Sequence, residues 1–222
     1  MKKIITIVLI FTCLLQSACV TTLQPLVTYD TIITDDRITG KWKNDEREIT
    51  VLPFPKSDFY NDHKKEFEKG KERTTKAIRD SILFSKAYLI EYTKEGFKYQ
   101  LLGGIIRING QLFMDFTPVS STSVNNSSEE INIDPGSSLS GNTIAKIEMK
   151  SSTTIKLDFL DGGFIYDQVK AGHLKIKNER DDLYDTFLIT ASTAELQKFL
   201  EKYGKDNRFY NKENSVTLNR KS

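Results

Sequence analysis

The chain has 222 residues, enough for one domain with a short appendage. Its 32 basic side chains nearly balance 30 acidic ones, and removing residues 1–18, which hold two lysines and no acid, would leave it neutral. A nucleic-acid partner is therefore not expected, because proteins that bind nucleic acids usually carry a clustered basic excess. Both cysteines, Cys13 and Cys19, lie near the N-terminus. The remaining chain has no disulfide framework and no cysteine-based zinc site.

The N-terminus has the pattern of an export signal. Two lysines precede an almost wholly apolar run, residues 4–15, and small or polar residues 16–18 lead to Cys19. The run is too short for a stable membrane span and is typical of a secretory signal. The stretch LQSAC resembles the lipobox of bacterial lipoproteins, with Gln16 where an aliphatic residue is usual. The resemblance implies cleavage before Cys19 and attachment of lipid, palmitate included, to that cysteine. Ordinary secretion with an unmodified Cys19 is the alternative.

Residues 19–39 show no clear periodicity and predict a tether to a single domain over residues 40–222. No acidic sorting signal follows Cys19 directly, and by resemblance to Gram-negative lipoproteins this implies the outer membrane, with the domain facing the periplasm. We therefore expect a protein of the bacterial cell envelope that contacts the membrane through its N-terminal lipid.

The predicted domain begins with Gly40-Lys41-Trp42, which contains the only tryptophan. A Gly-x-Trp at the head of the first strand resembles the signature of lipocalins and the wider calycins. The resemblance implies that the tryptophan closes one end of an antiparallel barrel. The alternative is a core tryptophan that begins a strand of any β fold.

Three antiparallel strands are predicted between residues 88 and 118. Asn109-Gly110 separates two apolar runs and suits a type I′ turn, since both residues tolerate positive φ, and Gly96 suits the other turn. The apolar positions change from odd to even at Gly103-Gly104, which predicts an extra residue or a bend within one coiled strand. Two shorter strands with a glycine break are the alternative. A coiled strand is expected in a barrel or a strongly curved sheet.

Two inserts interrupt this pattern, a charged one at residues 56–86 and a Ser/Asn/Gly-rich loop at residues 119–142. Apolar spacing in the second half of the first insert predicts a short helix. Clean alternation then predicts strands over 145–149 and 155–159, with the lysine, glutamate and aspartate side chains between the apolar ones pointing outward.

The last third of the chain predicts two helices, a short one from Phe164 that ends at Gly172 and a second one after Ser192. Ser192 and Glu195 form a capping box, and apolar residues follow at helical spacing. Residues 215–218 predict a last short strand. The fold class is thus α+β, mainly β: an antiparallel meander sheet or a curved, barrel-like sheet with short C-terminal helices.

Residues 88–118 and the C-terminal tract ITASTAELQKFLEKYG together resemble an uncharacterised family of bacterial envelope lipoproteins. In that family an antiparallel sheet is followed by two short helices. The resemblance implies fold and location, and it implies no chemistry because the family has no established activity.

No catalytic motif is evident. The only histidines are His63 and His173, and neither Gly-x-Ser-x-Gly, a phosphate loop, a dinucleotide fingerprint nor HExxH is present. We therefore predict no catalytic residue, metal or cofactor. If the sheet closes, inward aromatic side chains would line an apolar cavity, and otherwise they fill a core. The candidate ligand-binding residues are Trp42, Tyr88, Tyr92, Phe97 and Tyr99.

The functional expectation is a non-enzymatic, lipid-anchored envelope protein that binds a small apolar ligand or an envelope component. The first alternative is a protein-interaction or inhibitor lipoprotein that meets its partner through loop 119–142 or 56–76. The second is a hydrolase that uses His173 or His63, which would need a nucleophile within hydrogen-bond reach in a cleft.

Overall fold

The computed structural model describes residues 20–45, 47–62, 75–94, 96–123, 141–181 and 186–221. Within these ranges the chain forms eleven β-strands. The strands are β1 Thr21–Thr22, β2 Gly40–Lys43, β3 Glu48–Pro53, β4 Tyr88–Lys94, β5 Phe97–Ile108, β6 Gln111–Ser123, β7 Asn142–Met149, β8 Thr154–Phe159, β9 Asn178–Asp181, β10 Thr186–Ile189 and β11 Val216–Arg220. The α-helices are α1 Thr75–Lys86, α2 Gly162–Lys170 and α3 Thr193–Tyr203, and residues 58–62 are also helical.

Eight strands close into an antiparallel barrel in the order β2-β3-β4-β5-β6-β7-β8-β11, with β11 pairing back onto β2. The meander is continuous from β2 to β8, and α2, β9, β10 and α3 lie between β8 and β11 in the chain. The predicted class, a mainly β protein with a barrel-like sheet and short C-terminal helices, is confirmed. The last predicted strand is the one that closes the barrel.

A small side sheet branches from the start of β7. β1 pairs antiparallel with β7 and parallel with β10, and β9 pairs antiparallel with β10. β9 is highly charged, and it forms a strand because it pairs with the apolar strand β10.

The buried side chains form two apolar clusters, one on each face of the barrel wall. The inner cluster fills the barrel with side chains such as Ile38, Trp42, Tyr88 and Met114. The outer cluster lies between the wall, the helices and the N-terminal segment, and it includes Leu26, Phe113 and Phe199. Both faces of several strands are therefore buried, which an antiparallel sheet with one solvated face would not show.

The central meander and both of its turns are confirmed. Asn109 and Gly110 have φ values of 49° and 82°, as a type I′ turn requires, and Gly96 has a φ of 81°. β5 pairs with β4 on one side and with β6 on the other.

The predicted change of face at Gly103-Gly104 is wrong. β5 is one continuous strand, and its odd positions point into the barrel throughout, from Leu101 to Ile105. Its even positions are apolar because Ile106 and Ile108 are buried in the outer cluster. The register irregularity lies on the partner strand β6, opposite Gln100 and Leu101.

The two glycines are sites of close packing. A Cβ on Gly103 would lie 2.5 Å from Ile90 Cδ1 inside the barrel, and one on Gly104 would lie 3.2 Å from Val27 Cβ outside it. The pair therefore makes room for side chains on both faces of the wall at once.

Residues 20–39 are not the tether that the sequence suggested. Val20, Leu26, Val27 and Ile32 are buried against the outer wall of the barrel. Asp115 on β6 accepts a hydrogen bond from the Leu26 backbone N–H at 2.7 Å, which fixes the segment to the sheet. These residues are part of the folded domain because they cover apolar wall that would otherwise face water.

The two predicted inserts are partly structured. The helix expected in the first insert is α1, whereas residues 63–74 lie outside the described residues. The start of the predicted loop 119–142 belongs to β6, which continues to Ser123, and residues 124–140 lie outside the described residues.

The predicted C-terminal helices are confirmed. α2 ends before Gly172, which has a φ of 72°, and α3 begins at the Ser192–Glu195 capping box. The outward residues of β7 and β8 are less exposed than predicted, because Lys146 and Asp158 are buried with their charged atoms 3.8 Å apart.

Candidate functional site

The barrel encloses a cavity of about 330 Å³, which we call the barrel cavity. Its wall is almost wholly apolar because the inward positions of seven strands carry aliphatic or aromatic side chains. Its lining includes Ile49, Val51, Ile90, Leu101, Met114, Phe116, Ile147, Ile155, Leu157, Phe159, Val216 and Leu218. An enclosed apolar surface of this kind is the usual lining of a small-molecule site.

One end of the barrel is closed by the 3₁₀ turn Asp36–Ile38, whose Ile38 side chain forms the floor of the cavity. The Trp42 indole N–H donates to the Ile38 carbonyl at 2.7 Å. The Arg220 guanidinium lies 4.3 Å from the centre of a Trp42 ring and donates to the Thr39 and Arg37 carbonyls. These contacts hold the turn in place, since the indole is fully buried and its one donor is satisfied.

The Tyr88 side chain supports the same closed end. Its hydroxyl oxygen accepts a hydrogen bond from the Asp35 backbone N–H at 2.7 Å. Burial raises the pKa of Tyr88, although the hydrogen bond from the Asp35 backbone N–H opposes the rise.

The opposite end of the barrel, at the β2–β3 and β4–β5 turns, is the mouth. Pro118 is exposed there, and Arg47, Tyr92 and Thr143 are half-buried. Among the described lining residues these last three are the ones with polar side chains. A ligand in the barrel cavity would therefore place its apolar part deep inside and any polar group at the mouth.

An aromatic ladder extends the mouth along the β4–β5 hairpin. The Tyr92 and Tyr99 rings are stacked with centroids 5.0 Å apart, and Phe97 follows at 6.4 Å from Tyr99. Burial raises the pKa of Tyr92, and the neighbouring Tyr99 adds to the rise. Stacked rings on a projecting hairpin give an apolar surface beside the opening.

The five candidate residues therefore divide into two groups. Trp42 and Tyr88 are buried at the closed end, in the inner cluster. Tyr92 lines the barrel cavity, and Phe97 and Tyr99 stack beside it at the mouth. Whether any of them contacts a ligand stays a prediction.

Several lining residues were not singled out from the sequence. Val216 and Leu218 line the cavity from β11, and Ile38 lines it from the 3₁₀ turn. The apolar alternation of Val216 and Leu218 was visible in the sequence, whereas nothing local indicated that Ile38 lies inside the barrel.

His173 does not line the barrel cavity. His173 is exposed near the end of α2, and His63 lies outside the described residues. In the part of the chain that the structure describes, no group of three or more His, Cys, Asp or Glu side chains is placed to hold a metal ion.

Cys19 and the preceding residues lie outside the described residues, so their predicted roles remain expectations. No described helix has both the length and the apolar character needed to cross a membrane.

No family model matches the sequence, and no curated protein or solved structure is significantly similar to it.

Proposed function

We propose that this protein is a non-enzymatic binder whose barrel takes up a small apolar ligand, free or part of an envelope component. The observation that carries the proposal is the barrel cavity, which has an apolar wall, a closed floor and a polar mouth. Its volume is at the low end of the range typical of small-ligand sites. The ligand is therefore small, and one end of it lies at Arg47 and Tyr92.

The test uses a matched pair of substitutions on β11 and the apolar fluorescent probe N-phenyl-1-naphthylamine. Val216 lines the cavity, whereas its neighbour Thr217 is exposed on the outer face of the same strand. Val216→Trp fills the mouth and should weaken probe binding about tenfold or more, because the apolar surface that the probe would bury is already occupied. Thr217→Trp should leave binding unchanged.

Thermal unfolding of both variants controls for loss of the fold. A wild-type protein that does not bind the probe, or two folded variants that bind it equally well, would refute the barrel cavity as the site.

We further propose that Cys19 carries the lipid that anchors this domain in the bacterial cell envelope, in the outer membrane and facing the periplasm. The signal-like N-terminus and its lipobox resemblance support this anchor. Intact mass of the membrane-fraction protein from a Gram-negative host should show cleavage before Cys19 and added acyl mass. A Cys19→Ser variant should show neither. An unmodified wild-type Cys19 would refute the anchor without bearing on the barrel cavity.

A further inference from the structure

A second concave surface lies outside the barrel, between residues 172–177 and α3. It has a volume of about 850 Å³, and we call it the lysine groove. Four exposed lysines surround it, and these are Lys175, Lys177, Lys198 and Lys202. Its floor is apolar and is formed by Val169, Leu174, Ile176, Phe199 and Tyr203.

The charge of the lysine groove is strongly one-sided. Glu195 is the one carboxylate among its described lining residues. That carboxylate already caps α3, because it accepts hydrogen bonds from the Ser192 N–H and hydroxyl, and these bonds lower the pKa of Glu195. Its other oxygen lies 3.6 Å from Lys177 Nζ. Within the described residues Lys175, Lys198 and Lys202 form no ion pair, so the groove presents unneutralised positive charge.

The lysine groove lies close to the point where the chain enters the fold. Leu23 donates its backbone N–H to Ile189 of β10, and Thr190 donates to the carbonyl of Lys177 in the groove wall. Measured from Val20, the groove wall lies about three residues farther along the strand and two strand spacings to the side. Each of these two displacements is roughly 10 Å. Val20 is itself buried, so no slack chain separates the domain from Cys19.

From this geometry we propose that the lysine groove contacts anionic phospholipid headgroups of the membrane to which Cys19 is anchored. The inference rests on the proposed anchor. A chain held within a few residues of the bilayer cannot turn freely, so its surface near the attachment point meets headgroups. Lysines around an apolar floor match headgroup phosphates above acyl chains, and juxtamembrane basic residues are attracted to anionic lipid.

The test is lysine acetylation of the purified protein in two kinds of lipid nanodisc, analysed by mass spectrometry. One disc contains phosphatidylcholine alone, and the other contains an equimolar mixture with phosphatidylglycerol. Lys198 and Lys202 should be acetylated about threefold or more slowly in the anionic discs. Lys41 and Lys43, exposed on β2, should react equally in both. Equal reaction of the groove lysines in both discs would overturn the proposal.

A variant pair separates lipid contact from local shielding. Lys198→Glu with Lys202→Glu should abolish the protection of Lys175 in anionic discs, whereas Lys41→Glu with Lys43→Glu should leave it intact. Protection of Lys175 that survives the groove substitutions would contradict the proposal. Protection by soluble poly-glutamate but not by anionic discs would assign the groove to an acidic protein partner instead.

The same samples keep the two proposals apart. Intact mass reports whether Cys19 is acylated, and acetylation reports whether the groove meets anionic lipid. An unmodified Cys19 refutes the anchor, and protein added from solution to the same discs then shows whether the groove binds anionic lipid without it.

Discussion

At the scale of single residues, Asp115 has the least ordinary environment. Its side chain lies on the outer face of β6 and is buried, with the residue only 4% exposed. One carboxylate oxygen accepts the Leu26 N–H, and the other is buried without a hydrogen-bond partner among the described residues. Burial raises the pKa of Asp115 to about 7, although the backbone N–H groups of Leu26 and Val27 oppose the rise. Protonation of the Asp115 carboxylate therefore favours the folded state.

This environment predicts a pH-dependent stability. Because the folded pKa is raised above the unfolded value, the stabilisation is fully present below pH 4 and is lost as the pH rises towards 7. The free energy of unfolding contributed by Asp115 should fall by roughly 2–4 kcal/mol across that window. Asp115→Asn should flatten this slope, because the amide accepts the Leu26 N–H without carrying charge. Urea denaturation of the wild type and of the variant at pH 5 and pH 8 measures the pH dependence of each.

Asp167→Asn, at an exposed position of α2, is the control and should keep the wild-type slope. An Asp115→Asn variant with an unchanged pH dependence would show that another group is responsible.

At the scale of elements, α3 depends on its first turn. The Ser192 side chain accepts from the Glu195 N–H while Glu195 accepts from the Ser192 N–H, so two donors at the helix start are satisfied. The helix then buries Leu196, Phe199 and Leu200 in the outer cluster. Its C-terminal end lies against the β5–β6 turn, where the Asn109 side chain donates to the Glu201 carbonyl.

Ser192→Ala should lower the free energy of unfolding by about 1 kcal/mol, the usual cost of losing an N-cap. Chemical denaturation gives this value directly. Ser85→Ala, at an exposed position in the last turn of α1, should cost less than half as much because Ser85 caps no helix start. Equal losses in the two variants would argue that the capping box does not stabilise α3.

The elements that the sequence predicted well carry local signals. The type I′ turn at Asn109-Gly110, the capping box at Ser192 and the alternation of β7 and β8 all depend on residues close in the chain. The predicted change of face at Gly103-Gly104 is wrong because a strand that is buried on both faces has the same apolar pattern as one that switches faces. The even positions Ile106 and Ile108 are apolar because segments distant in the chain pack over them in the outer cluster.

The site was less predictable than the fold for the same reason. The candidate residues predicted from the sequence were aromatic, because large side chains can line a cavity. Of these, Tyr92 does line the barrel cavity. Most of the remaining wall is aliphatic and comes from all around the barrel, so its residues meet only once the sheet has closed. The 3₁₀ turn that supplies Ile38 lay in a stretch that has no periodicity, since it packs as an irregular plug.

At the scale of the whole molecule, one short strand holds the barrel closed. β11 pairs with β8 and with β2, and it carries Leu218 into the inner cluster and Arg220 onto Trp42. Without it, β2 and β8 would each have an unpaired edge and the inner cluster would be open to water.

A chain that ends at Ser215 should therefore lose cooperative unfolding and expose its only tryptophan. We expect a red-shifted Trp42 emission and the absence of a single thermal transition, both measured by fluorescence. A chain that ends at Lys221 keeps all of β11 and should behave as wild type. A compact, cooperative protein without residues 216–222 would contradict the role of β11 in closure.

The pairing of β2 with β11 also governs when the protein can fold. It joins Lys43 to Asn219, positions on the order of 175 residues apart, so closure is among the most non-local contacts that this chain can make. During synthesis the inner cluster cannot be completed until β11 has emerged. With the proposed export signal, the chain would reach the far side of a membrane as an open meander. An anchor at Cys19 would then already hold it at the surface where it must complete its fold, and release of the C-terminus would start the final step.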